Sequence, residues 1–176
     1  MRTDIFLPLL LVLFPFFMRA QAPYQIALGG PGGEWPNTII ETYDGGFVSS
    51  GSTDSYGVGT DMYLVKTDSA GNILWTRTFG GTGFDVALRG LQQTTDSGII
   101  VGGYTNSYGA GGYDLLFLRL NKQGNLLWAK TVGGSANDFG NDLIQTSDGG
   151  YCMTGHTHSF GAGGSDVYIV KLDAVG

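Results

Sequence analysis

Leu64–Gly81 reads LVKTDSAGNILWTRTFGG, and Leu118–Gly134 reads LRLNKQGNLLWAKTVGG. The same phrase occurs twice, with Trp75 and Trp128 at matching places 53 residues apart. Self-similarity at a period of about 20–50 residues marks one supersecondary unit used repeatedly. The phrase dictates an architecture first, and only then a function.

Three copies of the unit can be laid over one another. Asp44-Gly45-Gly46, Asp96-Ser97-Gly98 and Asp148-Gly149-Gly150 fall at one position, between apolar runs. These read as hairpin turns, because glycine takes the positive φ that such turns require. The flanking strand pairs are Thr38–Tyr43 with Phe47–Gly51, Gly90–Thr95 with Ile99–Gly103, and Asn141–Ser147 with Tyr151–Gly155. A longer loop follows each pair (Ser52–Thr60, Tyr104–Tyr113, His156–Ser165) and ends at Asp61, Asp114 or Asp166. Next come MYLVK, LLFLR and VYIVK, near-continuous apolar runs closed by a basic residue. A strand that is apolar on both faces is buried on both faces. A second tight turn, DSAGN or NKQGN, leads into the tryptophan strand.

A four-stranded unit with two apolar faces cannot stand alone. Stacking such units radially buries both faces, so the expected fold is all-β, a β-propeller of four-stranded antiparallel blades. Trp75 and Trp128, on the outermost strands, are expected in the seams between blades. The predicted divisions are a fourth strand at 24–30, blades at 31–80 and 81–133, and a partial blade at 134–176. The strand at 24–30 is expected to be an outer strand that lacks its blade, since Tyr24–Gly30 aligns with Trp75–Gly81. Three blades are fewer than the usual 4–8. The expectation is therefore the front part of a longer propeller, with self-assembly of several copies as the alternative.

The first 22 residues, MRTDIFLPLLLVLFPFFMRAQA, have a basic start, an apolar centre and small residues at Ala20 and Ala22. They read as a signal peptide cut after Ala20 or Ala22, with residues 23–176 secreted or held at the cell surface. Removing them takes away Arg2, Arg19 and Asp4, leaving seven basic and 14 acidic side chains, a charge of −7. No basic run survives, which disfavours nucleic acid and anionic membrane as partners, and no membrane insertion is expected. The 31 glycines of the 176 residues fall at fixed places between apolar runs, unlike a linker. Cys152 is a single cysteine, so no internal disulfide can form.

With the motif laid out as D-x-x-G-N-x-L-W-x-x-T-x-G-G, then T-x-D-G-G and G-x-T-x-S-x-G-A-G-G-x-D, the chain resembles bacterial propeller-repeat families. The likeness is to the seven-bladed-propeller repeat of secreted and cell-surface proteins, and more distantly to quinoprotein-type repeats. It spans Tyr24 to Gly176. The resemblance implies a propeller fold and a bacterial surface or secreted module, but no particular activity, because propellers host many.

The recurring carboxylates Asp44, Asp96, Asp148, Asp61, Asp114 and Asp166 could suggest calcium or acid catalysis. Recurrence in every unit favours a folding device instead, with Asp accepting backbone N–H bonds in turns. His156 and His158 share a face of an extended segment but have no evident third ligand, so no metal is expected. Cys152 aligns with Val48 and Ile100, which makes it a core thiol. Gly29–Gly33, GGPGG, has no following helix to make it a phosphate cradle. No catalytic residue and no cofactor are assigned.

Gly, Ser and the aromatic of S-[YF]-G recur in the long loops and read as framework. Ser52, Asp54, Tyr104, Asn106, His156 and His158 occupy corresponding positions that change between copies. Variation at a fixed scaffold position is how repeat proteins encode specificity, so these six are the predicted ligand-binding residues, with Tyr104 as anchor. The expected function is a non-catalytic binding or scaffold module for an extracellular protein or glycan. The alternative is an exported propeller enzyme, either a quinoprotein-like dehydrogenase or a glycan-acting hydrolase or lyase.

Overall fold

The computed structural model describes residues 22–176; the predicted signal peptide lies almost wholly outside them. These residues form eleven strands and no helix, arranged as three antiparallel sheets. Sheet 1 holds β1 (Glu34–Glu41), β2 (Phe47–Thr53), β3 (Asp61–Thr67) and β4 (Ile73–Phe79) in chain order. Sheet 2 repeats this with β5 (Asp85–Gln93), β6 (Ile99–Thr105), β7 (Asp114–Leu120) and β8 (Leu126–Val132). Sheet 3 has three strands, β9 (Asp138–Gln145), β10 (Tyr151–Thr157) and β11 (Asp166–Leu172). The all-β, repeated-sheet expectation therefore holds.

The turns explain why the hairpins recur. In sheet 1 the Gly45 N–H donates to the Thr42 carbonyl at 2.8 Å, and the Thr42 N–H to Gly46 at 2.8 Å. This is a three-residue loop whose last residue is left-handed: Gly45 has φ 76° and Gly149 has φ 83°. The Asp side chain within each loop accepts from the neighbouring threonine, as in Thr42 Oγ1 to Asp44 at 2.6 Å and Thr94 Oγ1 to Asp96 at 2.6 Å. It also receives the basic residue that closes the third strand: Lys66 on Asp44 at 2.9 Å, Arg119 on Asp96 at 2.5 Å and Lys171 on Asp148 at 2.9 Å.

Two cores lie between the sheets. Val48, Met62 and Leu64 of sheet 1 meet Leu91, Leu116 and Leu118 of sheet 2. On the other side of sheet 2, Ile100, Leu115 and Phe117 meet Leu143, Met153 and Val170 of sheet 3. Alternate residues of β7 thus enter opposite cores, and every residue of the strand is buried. Trp75 and Trp128 are half-buried against these cores. Trp75 also lies over the turn of the following sheet, where a methyl group on Gly124 would meet the indole at 2.9 Å.

Three details differ from the expectations. First, residues 24–30 are not assigned as a strand. They run along the outer face of sheet 1, where Tyr24, Ile26 and Leu28 wall a groove of about 290 Å³ with Ile39, Phe47 and Val65. With no neighbouring strand to accept its N–H groups, an extended segment makes no ladder. Second, the first strand of each sheet begins earlier than the alternation of its residues suggests, at Glu34, Asp85 and Asp138. Each crosses a register shift, at Pro36/Thr38 in β1 and Ala87/Leu91 in β5, and where β9 faces Thr154/Gly155. A bulge breaks the period-two signal on which such readings rest. Third, Ser52, Tyr104 and His156 lie within β2, β6 and β10 rather than in the loops after them.

Candidate functional site

The long β2–β3, β6–β7 and β10–β11 loops share one end of the sheets with the connections between sheets. Hydroxyls tie them together. Ser107 Oγ donates to Asp85 at 2.6 Å and accepts the Gly83 N–H at 2.9 Å, while Ser159 Oγ does the same for Asp138 at 2.6 Å and Ala136 at 3.0 Å. Tyr108 completes the clamp by donating its hydroxyl to the Gly80 carbonyl at 2.9 Å. Each loop is also held by the aspartate that ends it: Asp114 accepts the Ala110 N–H at 2.7 Å, and Asp166 accepts that of Ala162 at 3.1 Å.

The electrostatics of this end come from paired carboxylates. Asp61 and Asp85 are buried beside Gly80, and Asp114 and Asp138 beside Gly133. Burial, and then the charge of Asp85, raises the Asp61 carboxyl above its ordinary range. Asp114 is raised in the same way, by burial and by Asp138. Burial works against Asp138 too, yet the Ser159 and Thr157 hydroxyls hold it below the ordinary value. One oxygen each of Asp61, Asp85 and Asp114 has no hydrogen-bond partner. Among the described residues, no three His, Cys, Asp or Glu side chains converge as metal ligands.

The six predicted ligand residues separate into two groups. Ser52 is buried in β2, between Trp35 and Met62 on the neighbouring strands. Asp54 accepts the Thr60 hydroxyl at 2.7 Å and braces its own loop. Asn106 accepts the Phe84 N–H at 2.5 Å and braces the connection between sheets 1 and 2. Tyr104, His156 and His158 instead come together. Tyr104 meets Phe139 edge to face at 5.0 Å between centroids, Phe139 stacks on His156 at 4.9 Å, and His156 meets His158 at 5.8 Å. Tyr113 closes the group, 5.3 Å from Tyr104 and 5.0 Å from Phe139. His158 is exposed, with Nδ1 3.1 Å from the Asn137 carbonyl, and the other four rings are half-buried.

Sequence reasoning missed Tyr113 and Phe139. Tyr113 stands where the other copies have Thr60 and Ser165, and Phe139 stands where they have Trp35 and Val86. The available signal was an aromatic at a position otherwise filled by a hydroxyl. The five rings are drawn from two sheets and two loops, a convergence that no local reading displays. Cys152 is half-buried, whereas its counterparts Val48 and Ile100 are fully buried. No family model matches the chain, and no curated protein matches it.

Proposed function

We propose that this chain is an exported β-propeller-type module that binds a glycan at the sheet 2–sheet 3 junction without transforming it. The observation that carries the reading is the difference between two junctions built on one scaffold. Where sheets 2 and 3 meet, the loop-rich end holds Tyr104, Tyr113, Phe139, His156 and His158. The corresponding residues one repeat earlier are Ser52, Thr60, Val86, Tyr104 and Asn106. The frame of Ser, Gly and Asp is the same at both, so packing does not by itself call for the aromatic set.

Aromatic side chains offer large, rigid contact area with a polar edge, which suits the apolar face and hydroxyl rim of a sugar. The histidines add donors and acceptors beside that surface. The net charge of −7 after loss of residues 1–22 favours neutral or basic ligands over polyanions.

Screening the folded protein on an array of neutral and acidic glycans tests the reading. Tyr104→Ala combined with His156→Ala should weaken retention at least about tenfold, as loss of central aromatic anchors does, while circular dichroism and a cooperative melt still report a folded protein. Substitutions in the tight turn at Tyr43–Gly45 should leave retention intact. If retention is lost only with the turn variants, the assignment is wrong; if a protein ligand replaces every glycan, the surface stands and the substrate class does not.

A further inference from the structure

We propose that a calcium ion binds at each junction between sheets, held between Asp61 and Asp85 at the first and between Asp114 and Asp138 at the second. These four carboxylates open β3, β5, β7 and β9, and none is more than 2% exposed. Among the described residues, the ion pairs go to Asp44, Asp96 and Asp148, so no lysine or arginine neutralises the four buried charges. A buried carboxylate is costly unless it is paired, protonated or bound to a metal.

The two junctions present the same atoms. Asp61 Oδ1 and Asp114 Oδ1 are both buried without a hydrogen-bond partner. The glycine beside each shows where they point. A methyl group on Gly80 would lie 1.7 Å from Asp61 Oδ1 and 2.7 Å from Asp85 Oδ2. One on Gly133 would lie 1.7 Å from Asp114 Oδ1 and 2.8 Å from Asp138 Oδ2. Each glycine thus lets oxygens of two carboxylates converge on one point, and a side chain there would displace them.

The carboxylates are held in that orientation. Glycine stands on the far side too: a methyl group on Gly57 would lie 1.7 Å from Asp61 Oδ2, and one on Gly109 would lie 1.7 Å from Asp114 Oδ2. Asp85 Oδ2 accepts the Gly81 N–H at 2.8 Å and the Ser107 hydroxyl at 2.6 Å. Asp138 Oδ2 accepts the Gly134 N–H at 2.7 Å and the Ser159 hydroxyl at 2.6 Å. Thr157 donates to the other Asp138 oxygen, whereas Asp85 Oδ1 is unpartnered. Neutral donors of this kind orient the ligands of a metal site, and they leave the paired charge for the ion to balance.

The donor chemistry selects the ion. Both pairs offer hard oxygens, which suit calcium or magnesium rather than zinc or copper. Magnesium keeps several of its waters, for which a junction this buried has little room, so calcium is favoured. Two carboxylates without a third acidic group make a weak site, in the class of extracellular calcium modules with Kd about 10⁻⁴–10⁻³ M. A structural ion recurs wherever the fold recurs, as a catalytic one does not.

Thermal melts of the purified chain in EGTA and in calcium test the proposal. At about 10 mM calcium the melting temperature should rise by at least about 4 °C, and magnesium at the same concentration should give less than about half of that rise. Equilibrium dialysis should find one calcium per junction. Asp61→Asn combined with Asp114→Asn sets an amide opposite Asp85 and Asp138, so an N–H takes the place of the ion. In EGTA this variant should melt at or above the unaltered chain, and calcium should not raise it. If calcium leaves the unaltered chain unmoved, the proposal is overturned in favour of a proton shared within each pair. A calcium rise that survives in the double variant, or an equal rise with magnesium, overturns it as well.

Discussion

Sheets 2 and 3 are written in nearly the same words and fare differently. In sheet 2, Leu115–Leu120 is buried on both faces, and Arg119 reaches across to the Tyr151 hydroxyl at 2.8 Å while Nη2 grips both carboxylate oxygens of Asp96. In sheet 3, the matching strand alternates, with Tyr168 and Val170 turned to the core and Val167 and Ile169 to the outside. Lys171, which corresponds to Arg119, has a side chain 41% exposed, against 5% for Arg119. Each repeat therefore encodes two neighbours, and an apolar residue stabilises the fold only where the neighbour is present.

The sharpest way to break this comparison is to truncate the same position in both sheets. Phe117→Ala removes a fully buried ring from the core between sheets 2 and 3 and should cost about 3–5 kcal/mol. Ile169→Ala, at the corresponding position on the bare face of sheet 3, should cost under about 1 kcal/mol in the single chain. Urea unfolding of both variants, monitored by tryptophan fluorescence, reads the ratio. Equal losses would mean that the face of sheet 3 is covered in solution, so measurement at several protein concentrations separates the two states.

The ion pairs give a second contrast. Asp96→Ala strips the buried Arg119 guanidinium of its carboxylate and should cost about 2 kcal/mol, because the remaining charge stays desolvated. Asp148→Ala leaves Lys171 free to hydrate and should change little. Thermal melts of the two variants at equal concentration make the comparison, and a loss for Asp148→Ala as large as for Asp96→Ala would refute it.

Acid titration separates two sets of carboxylates by sign. Asp44 is lowered from 3.8 to about 2, first by the Thr42 hydroxyl and then by Lys66. Its stabilisation is present above the unfolded value and is lost as pH falls from about 4 towards 2. The side chain is 62% exposed, so screening keeps the contribution under about 1 kcal/mol. Asp61 and Asp114 are raised, so the folded state binds their protons first, and stability increases as pH falls through their folded values towards 3.8. Asp61→Asn should relieve the repulsion with Asp85 and flatten that gain. Urea midpoints at intervals from about pH 7 down to about pH 4 check this; an unaltered slope in the variant would show that Asp61 does not titrate there.

What was legible in the sequence was local. The tight turns, the doubly apolar third strands and the tryptophan strands each announce themselves within a few residues, and each lies where the repeat placed it. The bulges in β1, β5 and β9 were not legible, because they shift register without any required residue type. For the same reason Ser52, Tyr104 and His156 read as loop entries although the strands run on through Thr53, Thr105 and Thr157. Within the candidate site, Tyr104 and His156 showed as variable positions in the alignment of repeats. Phe139, which joins them, did not, because its contacts cross from one sheet to the next.

The smallest expected effect tests how closely the copies share one turn. Gly45 and Gly149 occupy the left-handed position of the first tight turn, and in sheet 2 that position is Ser97, with φ 67°. A side chain there places Cβ against the following carbonyl at a cost of about 1–2 kcal/mol. Glycine removes that cost but enters folding with more backbone freedom to lose. Ser97→Gly should therefore stabilise by about 0.5–1 kcal/mol, and Gly149→Ser should lose a similar amount. A methyl group at Gly149 would meet only the Ala174 Cβ, at 4.0 Å, so that loss would come from the backbone rather than from crowding. The serine side chain is half-buried, and its carbonyl accepts from Gln93 at 3.3 Å, a bond that glycine keeps. Paired urea denaturation of the two variants settles the sign. If Ser97→Gly lowers the midpoint, the serine stabilises its turn through its side chain, and the three turns are not interchangeable.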